Sequence, residues 1–481
     1  MFSKFTLFII IKHNLKKRKE NIMKIAVLNG SPKGNISITM QYINYIQKKF
    51  PVHELKIFNI SQRIIKIEND EKSFNEIFDY IKTSDAVIWA FPLYVFLVAS
   101  QYKRFIELIW ERKIENVFEN KFAAILTTSI HYFDHTAHNY MHSICDDLNM
   151  KFIGGYSAEM MDLEKEDKRE NLVKFASNFF ESIEKNIYSM KYYRPLSKSE
   201  YKYIPGNSVE KIKTEKKVLI LTDSKENDSN LINMVKKFKN SFSGEIETIN
   251  LYDIDIKGGC LGDIRCGRAN ECNYANSDGF MEFYKTKVMK ADIIIFSGAI
   301  KDRYLSSKWK QFFDRSFFNT HAPVLIGKQI GFLISGPLSQ IPNIAEIMDG
   351  YVELQKANNA GFVSDESCSN IEIDESISIL AGKIIKFSEL SYVKPSTFLG
   401  VGGIKIFRDE MYSNLRFPFK ADHKYYKKNG VYDFPNRKYK QIFAGIILNM
   451  LNNISSFRKE INNKMKSEMI KPLSKIVNRV N

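Results

Sequence analysis

Three groups of residues carry side chains able to do chemistry. The first is a small-residue loop, Gly30, Ser31, Pro32, Gly34, Ser37 and Thr39, which follows the apolar run Ile25 to Leu28 and precedes a helix start. Such a loop sets backbone amides and hydroxyls at a helix N-terminus, where unsatisfied N–H groups and the helix dipole favour an anion such as a phosphate. Its spacing fits neither GxGxxG nor GxxxxGK(S/T), which disfavours a Rossmann dinucleotide loop and a P-loop. The second group is Cys260-x5-Cys266-x5-Cys272, with Asp263 among the thiols. Three cysteines and an aspartate can hold a metal ion, and they can equally stand as free thiols. The third is His131, His135, His138 and His142, half of the eight histidines. Their spacing puts them on one face if Asp134 to Leu148 is helical. They read as a polar wall beside the loop Thr127–Ser129, with His131 nearest, or as a solvated helix face.

The elements around these groups alternate. Apolar strands are expected at Ile25–Leu28, Leu55–Ile60, Ala86–Ala90, Phe122–Leu126 and Phe152–Gly155. Helices fall between them: one carrying Ile36, Met40, Ile43, Ile46 and Phe50, then Phe74–Thr83, Ser100–Trp110 and Ala137–Leu148. Near-continuous apolar runs such as Ala86–Ala90 suit parallel strands buried on both faces, and the alternation argues for a parallel sheet with helices on both sides. The loops after the first, third and fourth strands then open on one edge, where ligands of open α/β sheets bind.

The pattern occurs twice. Lys217–Leu221 matches Ile25–Asn29, 192 residues earlier, while Asp292–Phe296 and Lys310–Asp314 match Asp85–Trp89 and Lys103–Glu107, 207 residues earlier. The larger second offset places an insertion between the second and third strands of the repeat, and that insertion holds the three spaced cysteines. A tandem duplication of one α/β unit is the simplest account. In the second copy Thr222-Asp223-Ser224 replaces Gly30-Ser31-Pro32, and Glu226 and Asp228 add negative charge, so a phosphate is repelled there.

The expected organisation is a leader or early start over 1–22, a first α/β unit over 23–190, a polar linker over 191–213, a second unit over 214–394 and a basic extension over 395–481. The extension holds 17 Lys and Arg against 6 Asp and Glu, which is most of the formal net charge of +16. Hydrophobic content of 44% with 13% aromatics marks a globular chain. Five cysteines in 481 residues make no disulfide framework and suit a reducing, cytoplasmic compartment. Phe5–Ile11 is too short to span a bilayer and no transmembrane segment is expected. In the extension a long helix is expected from about Lys438 to Lys466, with Ile442, Phe443, Ile446, Met450, Ile454 and Phe457 in one stripe packed on the body or across a dimer. Membrane-surface or nucleic-acid contact through its basic face is the alternative.

The segments GSPKGNISIT (30–39) and FPLYVFLVASQYKRFIE (91–107) resemble the two flavin loops of the flavodoxin-like NAD(P)H-dependent FMN reductases and iron–sulfur flavoproteins. That resemblance implies two tandem flavodoxin-like doubly wound sheets plus a mainly helical basic tail. It further implies an FMN phosphate held by Ser31, Lys33, Ser37, the Ile38 amide and Thr39. The ring would be flanked by Pro92, Leu93 and Tyr94, with Thr128 and Ser129 at its pyrimidine edge and His131 close by. NAD(P)H would be the co-substrate and electrons would pass to a quinone, a free flavin or another acceptor. The cofactor carries the redox chemistry, so no catalytic acid or base is assigned. The cysteine insertion resembles the family's four-cysteine iron–sulfur motif, which implies Cys260, Cys266 and Cys272 as ligands, but Asp263 stands where the second cysteine belongs. Such reductases dimerise across the flavin, which leaves either a homodimer or tandem units meeting within one chain. A non-catalytic flavin electron carrier and a flavin-free interaction protein using the basic tail are the competing readings.

Overall fold

The computed structural model describes residues 22–197, 199–207, 211–434 and 438–478. The leader expected over 1–22 therefore lies outside the described residues except for Ile22. The chain forms two compact units, one running to Tyr425 and one starting at Tyr426.

The first unit contains two parallel sheets. Strands β1 (Lys24–Asn29), β2 (Glu54–Asn59), β3 (Ala86–Pro92), β4 (Phe122–Ser129) and β5 (Lys151–Glu159) pair in the order β2-β1-β3-β4-β5. Strands β6 (Val218–Thr222), β7 (Glu247–Asn250), β8 (Ile293–Ala299), β9 (Gln329–Ser335) and β10 (Asn358–Ser364) repeat that order as β7-β6-β8-β9-β10. Both have the flavodoxin-like order, whose switch point lies between the first and third strands. Alternate residues of β1 and β3 serve opposite faces. Ile25, Val27, Ile88 and Ala90 pack under the helices Ile38–Lys49 and Glu166–Glu184. Trp89 and Phe91 point the other way, against Tyr102 and Phe118.

The expected elements are present, most of them longer than the apolar runs that marked them. Two differ. Ile36 lies in the short 3-10 turn Gly34–Ile36 and is exposed, because Ser37 caps the helix one residue later by accepting from Met40 N at 3.3 Å. Ile60, expected to end a strand, begins the helix Ile60–Asn69, whose Ile60, Ile64 and Ile67 are buried at helical spacing.

The sheets join through equivalent helices, Ser100–Glu111 and Ser307–Ser316. Glu107 Oε1 accepts from Ser307 N at 2.6 Å, and Asp314 Oδ2 accepts from Ser100 N at 2.7 Å. Each carboxylate thus satisfies the first orphan amide of the other helix. Lys103, wholly buried, bridges Glu107 and Asp302 at 2.9 Å each, and Lys310 pairs with Asp314. Burial disfavours the Glu107 carboxylate, but Lys103 and Ser307 outweigh it and hold its pKa below the usual range.

Beyond β10 the helix Phe398–Tyr412 follows. Glu353 accepts from Thr397 N and Gly400 N at its start, and Gly403 lets it approach the Tyr132 ring, which a Cβ would meet at 2.3 Å. From Tyr426 onward two helices are described, Tyr439–Leu451 and Ser455–Val477, in place of the single long helix expected there. None of the residues of Tyr439–Leu451 is buried. No helix among the described residues is long and apolar enough to cross a membrane.

Candidate functional site

The loops after β1, β3 and β4 converge as the strand pattern requires. Gly30 N donates to Ala90 O at 2.8 Å and Leu93 N to Thr128 O at 3.1 Å, which ties the three loop starts together. The first loop is braced from within: Asn29 Oδ1 accepts from Ser31 N at 2.9 Å, and Ser31 Oγ from Lys33 N at 3.3 Å. Gly34 takes φ +61°, a left-handed turn that glycine adopts without cost. Since Ser37 caps only Met40 N, the amides of Ile38 and Thr39 keep no intrahelical acceptor. No acidic residue lies between Gly30 and Thr39. This donor set fits a phosphate group, with Ser31, Lys33, Ser37 and the Ile38 amide around it.

Thr39, expected at the phosphate, also meets the end of β4. Its hydroxyl and that of Thr128 lie 2.7 Å apart, both buried, so the two side chains bond each other and clamp the helix start to the end of β4. The loop Pro92–Leu97 folds back on itself, with Tyr94 N to Leu97 O at 2.8 Å and Leu97 N to Tyr94 O at 2.9 Å. Val95 and Phe96 sit at φ 29° and 67°, strained positions for residues with a Cβ. Phe96 is held there by burial against Tyr132 and Phe133 and by Thr136 Oγ1, which donates to its carbonyl at 2.6 Å.

The insertion reaches this site, a placement its sequence did not disclose. Gln101 Nε2 donates to Cys260 O at 2.9 Å, and a Cβ on Gly262 (φ +67°) would meet Tyr94 Oη at 1.9 Å and Lys33 Cε at 3.3 Å. The second repeat therefore supplies a wall over the first and third loops of the first sheet. Burial raises the Tyr94 phenol well above its ordinary pKa, and Cys260, Asp314 and Asp263 add to the shift.

Cys260, Cys266 and Cys272 do converge, together with Asp263, on one cavity of about 20 Å³, roughly the size of a water molecule. Burial pushes the thiols of Cys260 and Cys266 up to about 12. Four thiolates are the usual holders of an iron–sulfur cluster. Three thiols and an aspartate fall short of that set. Among the described residues no three His, Cys, Asp or Glu side chains are grouped to hold a metal ion. Cys260, Cys266 and Cys272, expected as metal ligands, are free cysteines, as are Cys145 and Cys368.

The four histidines do not make one wall. His131 precedes the helix Asp134–Asp147 and bonds Asp134 Oδ2 at 2.8 Å, which raises its pKa; Ser157 Oγ donates to the same oxygen at 2.6 Å. His135 reaches Glu346 at 2.8 Å. His138 lies 2.7 Å from Thr127 Oγ1, with its pKa lowered by burial. His142 stacks on Phe152 with ring centroids 4.0 Å apart. His131, half exposed, stands beside Ser129, whose Oγ accepts from its amide at 2.9 Å.

The matching edge of the second sheet is closed by its own carboxylates. Asp365 accepts from Asn230 Nδ2 and Ser335 Oγ at 2.8 Å and from Gly336 N at 2.7 Å, which engages a side chain in the first turn of the helix Ser229–Asn240. Asp223, at the place of Ser31, is buried and accepts from Ser306 Oγ, while its Oδ1 has no partner. Burial raises its pKa to about 6.

No curated protein sequence matches the chain. Among solved structures it is similar to an NADH:FMN oxidoreductase (EMOB, apo form), with 15% identity, 33% of this chain and 89% of that one covered, and a TM-score of 0.30. It is also similar to FerB, a flavoenzyme NAD(P)H:(acceptor) oxidoreductase from Paracoccus denitrificans, with 19% identity, coverage of 34% and 98%, and a TM-score of 0.28. A third is RosB with bound 8-demethyl-8-formylriboflavin-5'-phosphate, with 14% identity, coverage of 40% and 86%, and a TM-score of 0.32. Residues 23–161, the first repeat with all three converging loops, match the family described as NADPH-dependent FMN reductase.

Proposed function

We propose that the protein is an NAD(P)H-dependent flavin oxidoreductase that carries one FMN per chain, on the first repeat. The observation that carries this reading is the contrast between two equivalent helix N-termini. At Ile38 the loop offers amides and hydroxyls with no acidic residue, whereas in the second repeat Asp223 stands at the place of Ser31 and Asp365 holds Asn230 in the first turn of the equivalent helix. The family match over residues 23–161 supports it.

When bound, FMN supplies the two-electron carrier between a nicotinamide donor and an acceptor, for which a quinone or a free flavin is our assignment. The chain's part is to bind and to position. Ser31, Lys33, Ser37 and the Ile38 amide hold the phosphate. Pro92, Leu93 and Tyr94 bound one side of the ring, and Thr128 and Ser129 present polar groups to its edge. His131, kept protonated more readily by Asp134, adds positive charge near that edge. The insertion at Gly262 restricts water on the Tyr94 side.

The test is the visible spectrum of the purified protein followed by anaerobic stopped-flow mixing with NADPH and with NADH. Flavin bands at one equivalent per chain that bleach on mixing support the reading. A yellow protein that neither nucleotide reduces is an electron carrier, and a colourless protein that takes up no added FMN has neither role.

A further inference from the structure

The helix Tyr439–Leu451 has a composition that water does not suit. Tyr439, Ile442, Phe443, Ile446, Ile447, Leu448 and Met450 are all exposed, Phe443 at 65% and Met450 at 67%. The positions without an apolar side chain, Gln441, Gly445 and Asn449, recur every fourth residue and so form one narrow line. Apart from Lys440, apolar side chains occupy the rest of the circumference. No charged residue stands between Lys440 and Arg458, whereas Lys438 and Lys440 precede this stretch and Arg458 and Lys459 follow it. The next helix, Ser455–Val477, holds six Lys and Arg against two Glu.

We infer that this segment docks on an anionic lipid bilayer surface, with the helix Tyr439–Leu451 lying in the interface and the basic residues at its ends meeting headgroups. Three features choose this occupant. Thirteen residues of helix reach about 20 Å, too short for a hydrocarbon core of about 30 Å, so the helix lies in the surface rather than crossing it. A second copy or another protein helix covers one stripe and leaves the other apolar residues in water, whereas a bilayer interface takes up the broad apolar arc and leaves the line Gln441, Gly445 and Asn449 toward water. The charges at both ends are of one sign, which repels a second copy and attracts anionic headgroups.

The experiment is flotation of the full chain with vesicles of phosphatidylcholine alone and of phosphatidylcholine mixed with phosphatidylglycerol, alongside light scattering in the absence of lipid. The protein is expected to float with the anionic vesicles and much less with the neutral ones. The triple variant Phe443→Ser, Ile447→Ser and Met450→Ser, all exposed positions, is expected to lose roughly a hundredfold in partitioning while its thermal melt stays unchanged. Lys440→Gln with Arg458→Gln and Lys459→Gln is expected to remove the preference for anionic vesicles. Failure to float with anionic vesicles overturns the inference, and so does equal flotation of the triple variant. A lipid-free dimer that the serine substitutions convert to monomer overturns it too, by naming a second copy as the occupant.

Discussion

Glu107 and Ser307 meet across the two repeats: both carboxylate oxygens are used, Oε1 on the Ser307 amide and Oε2 on its hydroxyl, each at 2.6 Å. The relation returns in reverse between Asp314 and Ser100, and each partner stands 207 residues from its counterpart. Two antiparallel helices are thereby locked at both ends by the chain's own duplicated acids.

The buried cation at this seam is the sensitive point. Lys103 bridges Glu107 and Asp302, and all three side chains are buried. Lys103→Met leaves Asp302 buried without its counter-charge and Glu107 with Arg104 alone, and a loss of about 3–5 kcal/mol in urea unfolding is expected. A loss below about 1 kcal/mol shows that the seam contributes little to holding the repeats together.

Asp223 has the opposite sign. Its pKa in the folded chain is about 6 against an ordinary 3.8, so between those values the folded state binds more protons and stability falls as pH rises. Asp223→Asn removes the charge without changing the shape. The variant is expected to match the parent near pH 4 and to exceed it by about 2 kcal/mol above pH 7, by thermal melts across that range. Parallel pH profiles for the two proteins contradict this.

Ser31→Asp places in the first loop the residue type that the second repeat carries at Asp223. Bound FMN is expected to disappear, since a carboxylate facing a phosphate costs several kcal/mol. Ser31→Ala, which removes only a hydroxyl, is expected to weaken binding by roughly tenfold. Fluorescence titration with FMN reads both, and flavin retained by the aspartate variant places the phosphate elsewhere.

Gly262 tests whether the insertion closes on the flavin loops. Alanine there is strained at φ +67° and its Cβ would meet the Tyr94 hydroxyl. Gly262→Ala is expected to cost about 1–2 kcal/mol and to loosen FMN binding although it lies in the other repeat. Unchanged flavin affinity means that the insertion does not bound the site.

Both sheets were legible because their central strands, Ala86–Ala90 and Ile293–Phe296 among them, are uninterrupted apolar runs. The phosphate loop was legible because small and hydroxyl residues at a helix start have few other uses. Long-range polar pairing was not. Thr39 and Thr128 are 89 residues apart and meet only once the sheet is built. The histidines shared a spacing but not a neighbourhood: each took whichever acceptor or ring its own turn of helix faced. The equal offset of Ser100 and Ser307, and of Glu107 and Asp314, was in the sequence all along, but a repeat offset says nothing about whether the copies touch.

The reciprocal seam also bears on how the two copies could diverge. In an assembly of identical subunits every substitution occurs twice, so a change that closes one loop edge closes both. Joined in one polypeptide, the copies are free of that constraint. One can exchange its loop for Asp223 and Asp365 and lend its insertion to its neighbour, while the helix that meets that neighbour is kept intact. The second repeat has the form of a specialised subunit that never leaves.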